Sequence, residues 1–430
     1  MGGTVAAVAT PPGRGALAVI RITGPETTSV LSRVFRGKTA PEQFKPKRVY
    51  FGDLISAGQL IDRVGIAFYK GPESYTGEDM AEITCHGGRL VSALILEALI
   101  SSGASPAEPG EFTLRAFLNG KIDLAGAVGI NALSLVKTER AHRAAMNRIA
   151  GETGTAFVRF RDELAGLLLE CEARLDFPED VPDMDENDFR KRLLELRGKI
   201  MAFLGSAGRA ESLWEGVSVV IAGPPNAGKS TLFNALLGYE RAIVHHEPGT
   251  TRDYISESVE LGGYLIRLYD SAGTGEFGSS VDREAVNRSL ELARNADIVI
   301  YLLEPGSGAG YPDGENIIKV CSKSDLLRGQ PPAGIIPVSG ITGKGLEVLI
   351  AKITTMAEGI AGGEDVLLER ERQLLAEACV RLEEAGREGL GLELVAENLW
   401  SAGRAMDRLL GLDLPQDVIR GIFSRFCLGK

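Results

Sequence analysis

Apolar residues in the first 118 positions fall in short runs, Ala16–Ile22, Val64–Tyr69 and Met80–Cys85, punctuated by Gly and Pro. Runs of that length bounded by turn residues predict strands. One helical stretch is expected near Leu90–Ser101, so this part reads as α+β. From about Lys121 to Ala210 the strand signal vanishes. Leu164, Leu167, Leu168, Cys171 and Leu175 recur at helical spacing, and the acid-rich PEDVPDMDEND (Pro178–Asp188) divides two helical stretches. From about 214 to 358 strands and helices alternate, the pattern of a mostly parallel sheet. Helical texture then returns from Glu364 to Phe426. The expected architecture is multidomain. An α+β domain spans 1–118, and an all-α domain is assembled from 119–213 and 359–430. An α/β domain at 214–358 is inserted into the helical one.

Composition narrows the class. No run nears the ~18 uninterrupted apolar residues that a membrane span needs. The opening MGGTVAAVATPPGRG lacks a basic stretch before its apolar run, so a secretory signal is not expected. Five scattered cysteines (Cys85, Cys171, Cys321, Cys379, Cys427) form no zinc-spaced cluster and read as reduced thiols of a cytoplasmic protein. Net charge is −11, from 58 acids and 47 bases. An acidic chain is no general nucleic-acid binder, so an RNA partner needs a local basic patch. One candidate is KTERAHRAAMNR, which sets Lys137, Arg140, Arg143 and Arg148 at near-helical spacing.

The inserted segment carries the chemistry. Val217–Ala222 is an apolar run of strand length, followed by Gly223-Pro-Pro-Asn-Ala-Gly-Lys-Ser-Thr231 and a helical stretch. This is G-x-x-x-x-G-K-[ST] between a strand and a helix, the context in which it makes a P-loop. Backbone N–H groups of Asn226, Ala227, Gly228 and Thr231 are expected around phosphate oxygens, with the helix N-terminus adding positive charge. Lys229 would reach the β and γ phosphates and Ser230 would give a hydroxyl to Mg²⁺. In GTTRD (Gly249–Asp253), Thr250 and Thr251 can sense the γ-phosphate, and Thr251 can bind Mg²⁺. Strands Ile255–Leu261 and Tyr264–Tyr269 meet at Gly262-Gly263, a hairpin signal. Asp270-Ser-Ala-Gly273 then offers a carboxylate for the Mg²⁺ shell and an N–H for the γ-phosphate. After strands Asp297–Leu303 and Ile317–Ser322 comes Lys323-Ser-Asp325. A carboxylate there accepts both N1–H and N2–H₂ of guanine, a donor pair that adenine lacks. Ile335–Val338 leads into Ser339-Gly340, placed for the guanine carbonyl. Five signals in this order predict a GTP-binding domain.

The whole chain resembles the tRNA modification GTPase family called MnmE or TrmE. The resemblance rests on ATPPGRGALAVIRITGP (Ala9–Pro25), SYTGEDMAEITCHGG (Ser74–Gly88), PGEFTLRAFLNGKIDLA (Pro109–Ala125), GPPNAGKST, GTTRD and the terminal CLGK. It implies modification of wobble uridine in tRNA, of the carboxymethylaminomethyl type. The implied partner is a flavin-dependent MnmG or GidA protein, and the carbon donor is a tetrahydrofolate derivative (5-formyl or methylene). It implies a homodimer built by the N-terminal domain. Folate contacts are implied at Arg21, Glu82, Lys121 and Lys430. Glu82 suits pterin donors and the cations suit polar and carboxylate groups. Cys427 is implied as a thiol of the modification chemistry.

The resemblance also implies hydrolysis by two GTPase domains paired across K⁺. The implied K⁺ ligands are the Asn226 side-chain oxygen together with His245, Glu247 and Thr250, backbone carbonyls of the loop before Gly249 among them. Two adjacent histidines, His245 and His246, are too few to make a metal site of their own. A water-orienting carboxylate falls at Asp282, where the family carries glutamate; Glu276 and Glu284 are alternatives. Thr274, at the Ras glutamine position, is too short for that work. Ser322 stands where the family has asparagine, and Ser339-Gly340 replaces Ser-Ala. The segment between Leu303 and Ile317 lacks the usual helix pattern. Two rival readings are a ribosome-assembly GTPase that docks on rRNA, and a relic too eroded to turn over.

Overall fold

The computed structural model describes residues 2–177, 179, 185–239, 243–245, 255–270, 294–307, 310–327, 329, 331–363 and 365–430. Two compact units result: one from Met1–Ser134, Arg148–Arg161 and Met406–Lys430, the other from Leu135–Asn147 and Asp162–Ala405.

The first unit is built on a seven-stranded sheet. Its strands are β1 (Val5–Val8), β2 (Leu17–Thr23), β3 (Phe35–Gly37), β4 (Arg48–Ser56), β5 (Gln59–Tyr69), β6 (Met80–His86) and β7 (Ser105–Pro106), in the spatial order β3-β4-β5-β6-β2-β1-β7. All pairs are antiparallel except β1 with β7. Alternation explains which face each residue takes. In β2, Ala18, Ile20 and Ile22 are buried, and in β6 so is Ile83. Helices α1 (Thr27–Val34) and α2 (Arg89–Ser101) cover that face with Val30, Leu31, Ile95 and Leu99. Each such side chain stabilises the fold by about 1.5–3 kcal/mol. The same alternation turns Arg21 to the opposite face, in register with Glu82.

The unit continues with α3 (Glu111–Leu118) and α4 (Leu124–Ala132). The Asp123 carboxylate caps α4 by accepting the Gly126 N–H at 2.6 Å. A C-terminal helix, Gln416–Phe423, returns to this part of the unit. Phe423 and Phe426 enter a cluster with Leu114, Leu124 and Ala127. The last residues of the chain are thereby anchored rather than frayed.

The second unit begins with the helices α5 (Glu139–Ile149, shared with the first unit), α6 (Glu152–Asp176, likewise shared) and α7 (Glu186–Ser206). As the spacing predicts, Leu164, Leu167 and Cys171 are buried on α6. Helix α7 packs on the helix Glu369–Ala385, where Arg197 and Glu383 pair at 2.9 Å. Two arginines of the basic stretch are engaged within the fold. Arg148 is 1 % exposed, and its Nε donates to the Ala125 carbonyl. Arg140 lies over the Tyr264 ring, 4.6 Å from its centroid, and is 3.7 Å from Glu358. A guanidinium can be buried when carbonyls and π faces satisfy it, which charge spacing alone does not reveal.

After a short strand β8 (Gly208–Arg209) and helix α8 (Ala210–Glu215), a second seven-stranded sheet begins. Its strands are β9 (Val217–Ala222), β10 (Ile243–His245), β11 (Ile255–Leu261), β12 (Tyr264–Asp270), β13 (Ile298–Leu303), β14 (Ile317–Cys321) and β15 (Ile336–Pro337), in the order β10-β11-β12-β9-β13-β14-β15. The strands from β12 through β9 to β15 pair in parallel, and β10 and β11 extend the edge antiparallel. Buried Val217, Val219, Val220 and Ile221 make β9 the centre. Gly262 and Gly263 have φ of 60° and 84°, the two positive angles of a tight hairpin turn. The described residues of 304–316 contain no helix. Instead Tyr311 reaches back, its hydroxyl donating to the Val320 carbonyl at 3.0 Å.

Candidate functional site

The nucleotide site grows from the central strand. β9 lies between β12 and β13, all parallel, so the loop after it opens at the carboxyl end of the sheet, where α/β folds bind ligands. Gly223 leaves the strand with φ 146°, and a Cβ there would sit 2.4 Å from the Leu302 carbonyl oxygen. Gly228 (φ 87°) is the N-cap of α9 (Lys229–Leu237). Lys229 and Ser230 thus occupy the first turn, where unpaired N–H groups and the helix dipole favour an anion. The Lys229 ammonium donates to the carbonyls of Gly223 and Pro224 at 3.0 and 2.9 Å. Burial pushes its pKa down, and the nearby Asp270 carboxylate opposes this. Asp270 closes β12 and is buried. Ala227 is buried, and Asn226 is exposed with a left-handed φ of 65°.

Next to the loop is a pocket lined by Gly228, Thr231, Lys323, Asp325 and Ser339 among others. The Ser339 hydroxyl holds the Asp325 carboxyl below the usual carboxylate range, keeping it an acceptor. Ser339 Oγ also accepts the Thr342 N–H at 3.2 Å. Gly340 packs on the P-loop helix, where a Cβ would meet Thr231 at 3.1 Å. The Ser322 hydroxyl turns back to the Leu303 carbonyl at 3.3 Å.

Ser230 and Asp270 are hard oxygen donors of the kind Mg²⁺ takes. Thr250, Thr251, Gly273, Glu247, Asp282 and its alternatives Glu276 and Glu284 lie outside the described residues. His245 is in β10, paired with Ser258. Among the described residues no group of three His, Cys, Asp or Glu side chains could hold a metal.

The residues implied as folate contacts lie in the first unit. Arg21 Nε is 2.9 Å from Glu82 Oε1, and its Nη1 donates to the Gly429 carbonyl at 3.1 Å. The Lys430 ammonium donates to the Ile130 carbonyl at 3.1 Å. Burial chiefly pushes its pKa down; Arg21 adds to this and Cys427 opposes it. The Phe112 N–H donates to the main-chain oxygen of Lys430. The Cys427 thiol is exposed, 3.8 Å from the Ser134 hydroxyl. Three of the four predicted folate residues, Arg21, Glu82 and Lys430, are therefore gathered around the tail. Lys121 stands apart from these contacts, its ammonium on the Pro72 carbonyl at 2.9 Å.

Two aromatic residues escaped the sequence reading. Tyr75 lies 5.9 Å under the Arg21 guanidinium, and burial raises the Tyr69 pKa, with Glu82 adding to it. Tyr69 ends a predicted strand and Tyr75 lies within the quoted SYTGEDMAEITCHGG, but neither carried a motif of its own. Gly429 seats the tail: at φ 84°, its Cβ position would be 2.6 Å from Ala9 Cα. Gly429→Ala is expected to unseat the last four residues and speed amide exchange at Lys430 by roughly tenfold, since a strained left-handed residue costs about 1–2 kcal/mol. Hydrogen exchange read by mass spectrometry checks this.

Comparison with known proteins covers the whole chain. The model of the GTP-binding protein TrmE N-terminus matches residues 4–121. The MnmE helical domain model matches residues 124–427. The chain is 37 % identical over 431 residues to a tRNA modification GTPase MnmE of Thermus thermophilus, covering 99 % of each. It is 40 % identical over 441 residues to that of Methylobacterium sp. strain 4-46, and 36 % over 457 residues to that of Syntrophus aciditrophicus, again covering 99 % of each chain.

Proposed function

We propose a reaction from one premise: this chain belongs to the MnmE family of tRNA modification GTPases. It is a GTP hydrolase. Guanine is read by the Asp325 carboxylate, which accepts N1–H and N2–H₂, with Ser339 holding it ionised. The phosphates lie on the N–H groups of Asn226 to Thr231 and the N-terminus of α9, with Lys229 at the β and γ oxygens. Ser230, Thr251 and Asp270 would hold Mg²⁺, which supplies charge neutralisation at those oxygens. Thr250 and Gly273 sense the γ-phosphate, and Asp282 orients water. Asn226, with oxygens of His245, Glu247 and Thr250, binds K⁺ between paired GTPase domains.

The output is modification of wobble uridine in tRNA, in the cytoplasm, by a homodimer acting with a flavin-dependent partner. A tetrahydrofolate derivative supplies the carbon. The domain limits proposed are 1–118, 119–213 with 359–430, and 214–358. The observation that carries the folate reading is the seating of Gly429 and Lys430 beside Arg21, which pairs with Glu82. Arg21 and Lys430 offer cations, Glu82 an acceptor pair for pterin N–H groups, and Cys427 an accessible thiol. The test is reconstitution with partner, tRNA, GTP and folate donor, reading uridine mass. Product is expected only when the donor is present; full yield without it would rule out this carbon source.

A further inference from the structure

We propose that Glu304 is a positioning residue for guanine nucleotide, holding Lys323 at the base pocket through its carboxylate. This rests on the GTP-binding reading of that pocket. Ser322 uses its N–H, at 2.9 Å, and its hydroxyl, at 3.3 Å, on the same Leu303 carbonyl. Its short side chain ties the base loop to the end of β13 and is thereby occupied. The tie brings the residue after Leu303 alongside the residue after Ser322. Lys323 Nζ is 2.5 Å from Glu304 Oε1. Lys323 lines the pocket and has a left-handed φ of 51°. Such backbone angles in a non-glycine residue persist when surroundings over-determine them, and they concentrate at ligand clamps.

The physical reason for a brace is entropy. A lysine ammonium sits on a flexible four-carbon stem and loses rotamer freedom when it settles against a base. A carboxylate that fixes the ammonium beforehand lowers that cost at binding. The pair is half-exposed, with 38 % and 37 % of the side chains accessible, so its role is placement more than net stability. Glu304 also adds negative charge near a polyanionic ligand. Acting through charge alone, it would weaken nucleotide binding. The two roles therefore predict opposite signs.

The test is release of a fluorescent methylanthraniloyl-GDP from the full chain. Glu304→Gln should release it roughly fivefold faster, the effect of losing one preorganising ion pair. Glu304→Asp should stay close to the parent. Lys323→Met should release faster still, and adding Glu304→Gln to it should change nothing more, because Glu304 acts through Lys323. Unchanged or slower release in Glu304→Gln, or additive effects in the double variant, would overturn the proposal. A drop in the thermal midpoint of the nucleotide-free Glu304→Gln chain would assign the effect to the fold and overturn it too. A parent chain that binds no labelled GDP would instead remove the nucleotide reading, and this proposal with it.

Discussion

Asp325→Asn is expected to weaken GTP and GDP binding by roughly 10²–10⁴-fold and to confer a preference for xanthosine nucleotides. The carboxylate presents two acceptors to two guanine donors. Asparagine keeps one acceptor and turns the other into a donor, which faces the guanine amino group and leaves both unsatisfied. Buried polar groups without partners are what make such sites selective. Xanthine carries a carbonyl in place of that amino group, so the asparagine donor regains a partner. The pocket supports the swap because Ser339 fixes the Asp325 side chain through its hydroxyl, and a hydroxyl can donate to an amide oxygen equally well. Equilibrium titration with labelled GDP and XDP checks both halves. Equal loss of both nucleotides would mean that the loop is disrupted and Asp325 does not read the base.

Lys229→Met is expected to cut GTP turnover by roughly 10²–10³-fold, the cost of removing one oriented donor from developing charge. Its ammonium is aimed by two carbonyls of the loop it closes. Methionine keeps an apolar stem of similar reach and removes the charge together with its two hydrogen bonds. Burial already disfavours that charge. The nucleotide-free variant should therefore unfold no lower in temperature than the parent. Turnover and a thermal scan on the same sample separate the two effects. If GTP binding and hydrolysis drive the reaction on tRNA, modified uridine should fall in parallel. Unimpaired modification by this variant would remove the driving role of the nucleotide.

Much of the inserted segment was legible because its signals are local. The run at Val217–Ala222 and the Gly262-Gly263 turn need no distant partner to be read. Burial of Leu164, Leu167 and Cys171 follows from periodicity in the same way. The long hairpin β4–β5 was missed over most of its length. Val49, Phe51 and Leu60 are apolar yet exposed there, so no clean alternation marks an inner face. The tail site joins Arg21 to Gly429 across 408 positions. No local pattern encodes such a contact, and only resemblance suggested it. Arg148 shows the opposite failure. A basic residue at helical spacing reads as solvated, although a neighbouring carbonyl lets it be buried. Glu304 belongs to no motif, and its role depends on where the end of β13 meets the base loop.

Equilibrium binding of 5-formyltetrahydrofolate, to the full chain and to a chain ending at Phe426, tests the coupling of folate chemistry to this fold most directly. The shortened chain retains Phe423 and Phe426 in their cluster but loses Cys427, the Gly429 carbonyl and Lys430. Clear binding by the full chain that weakens on truncation is the predicted result. Binding by neither chain, or equal binding by both, would contradict it, the first by removing the one-carbon donor and the second by removing the tail from its site.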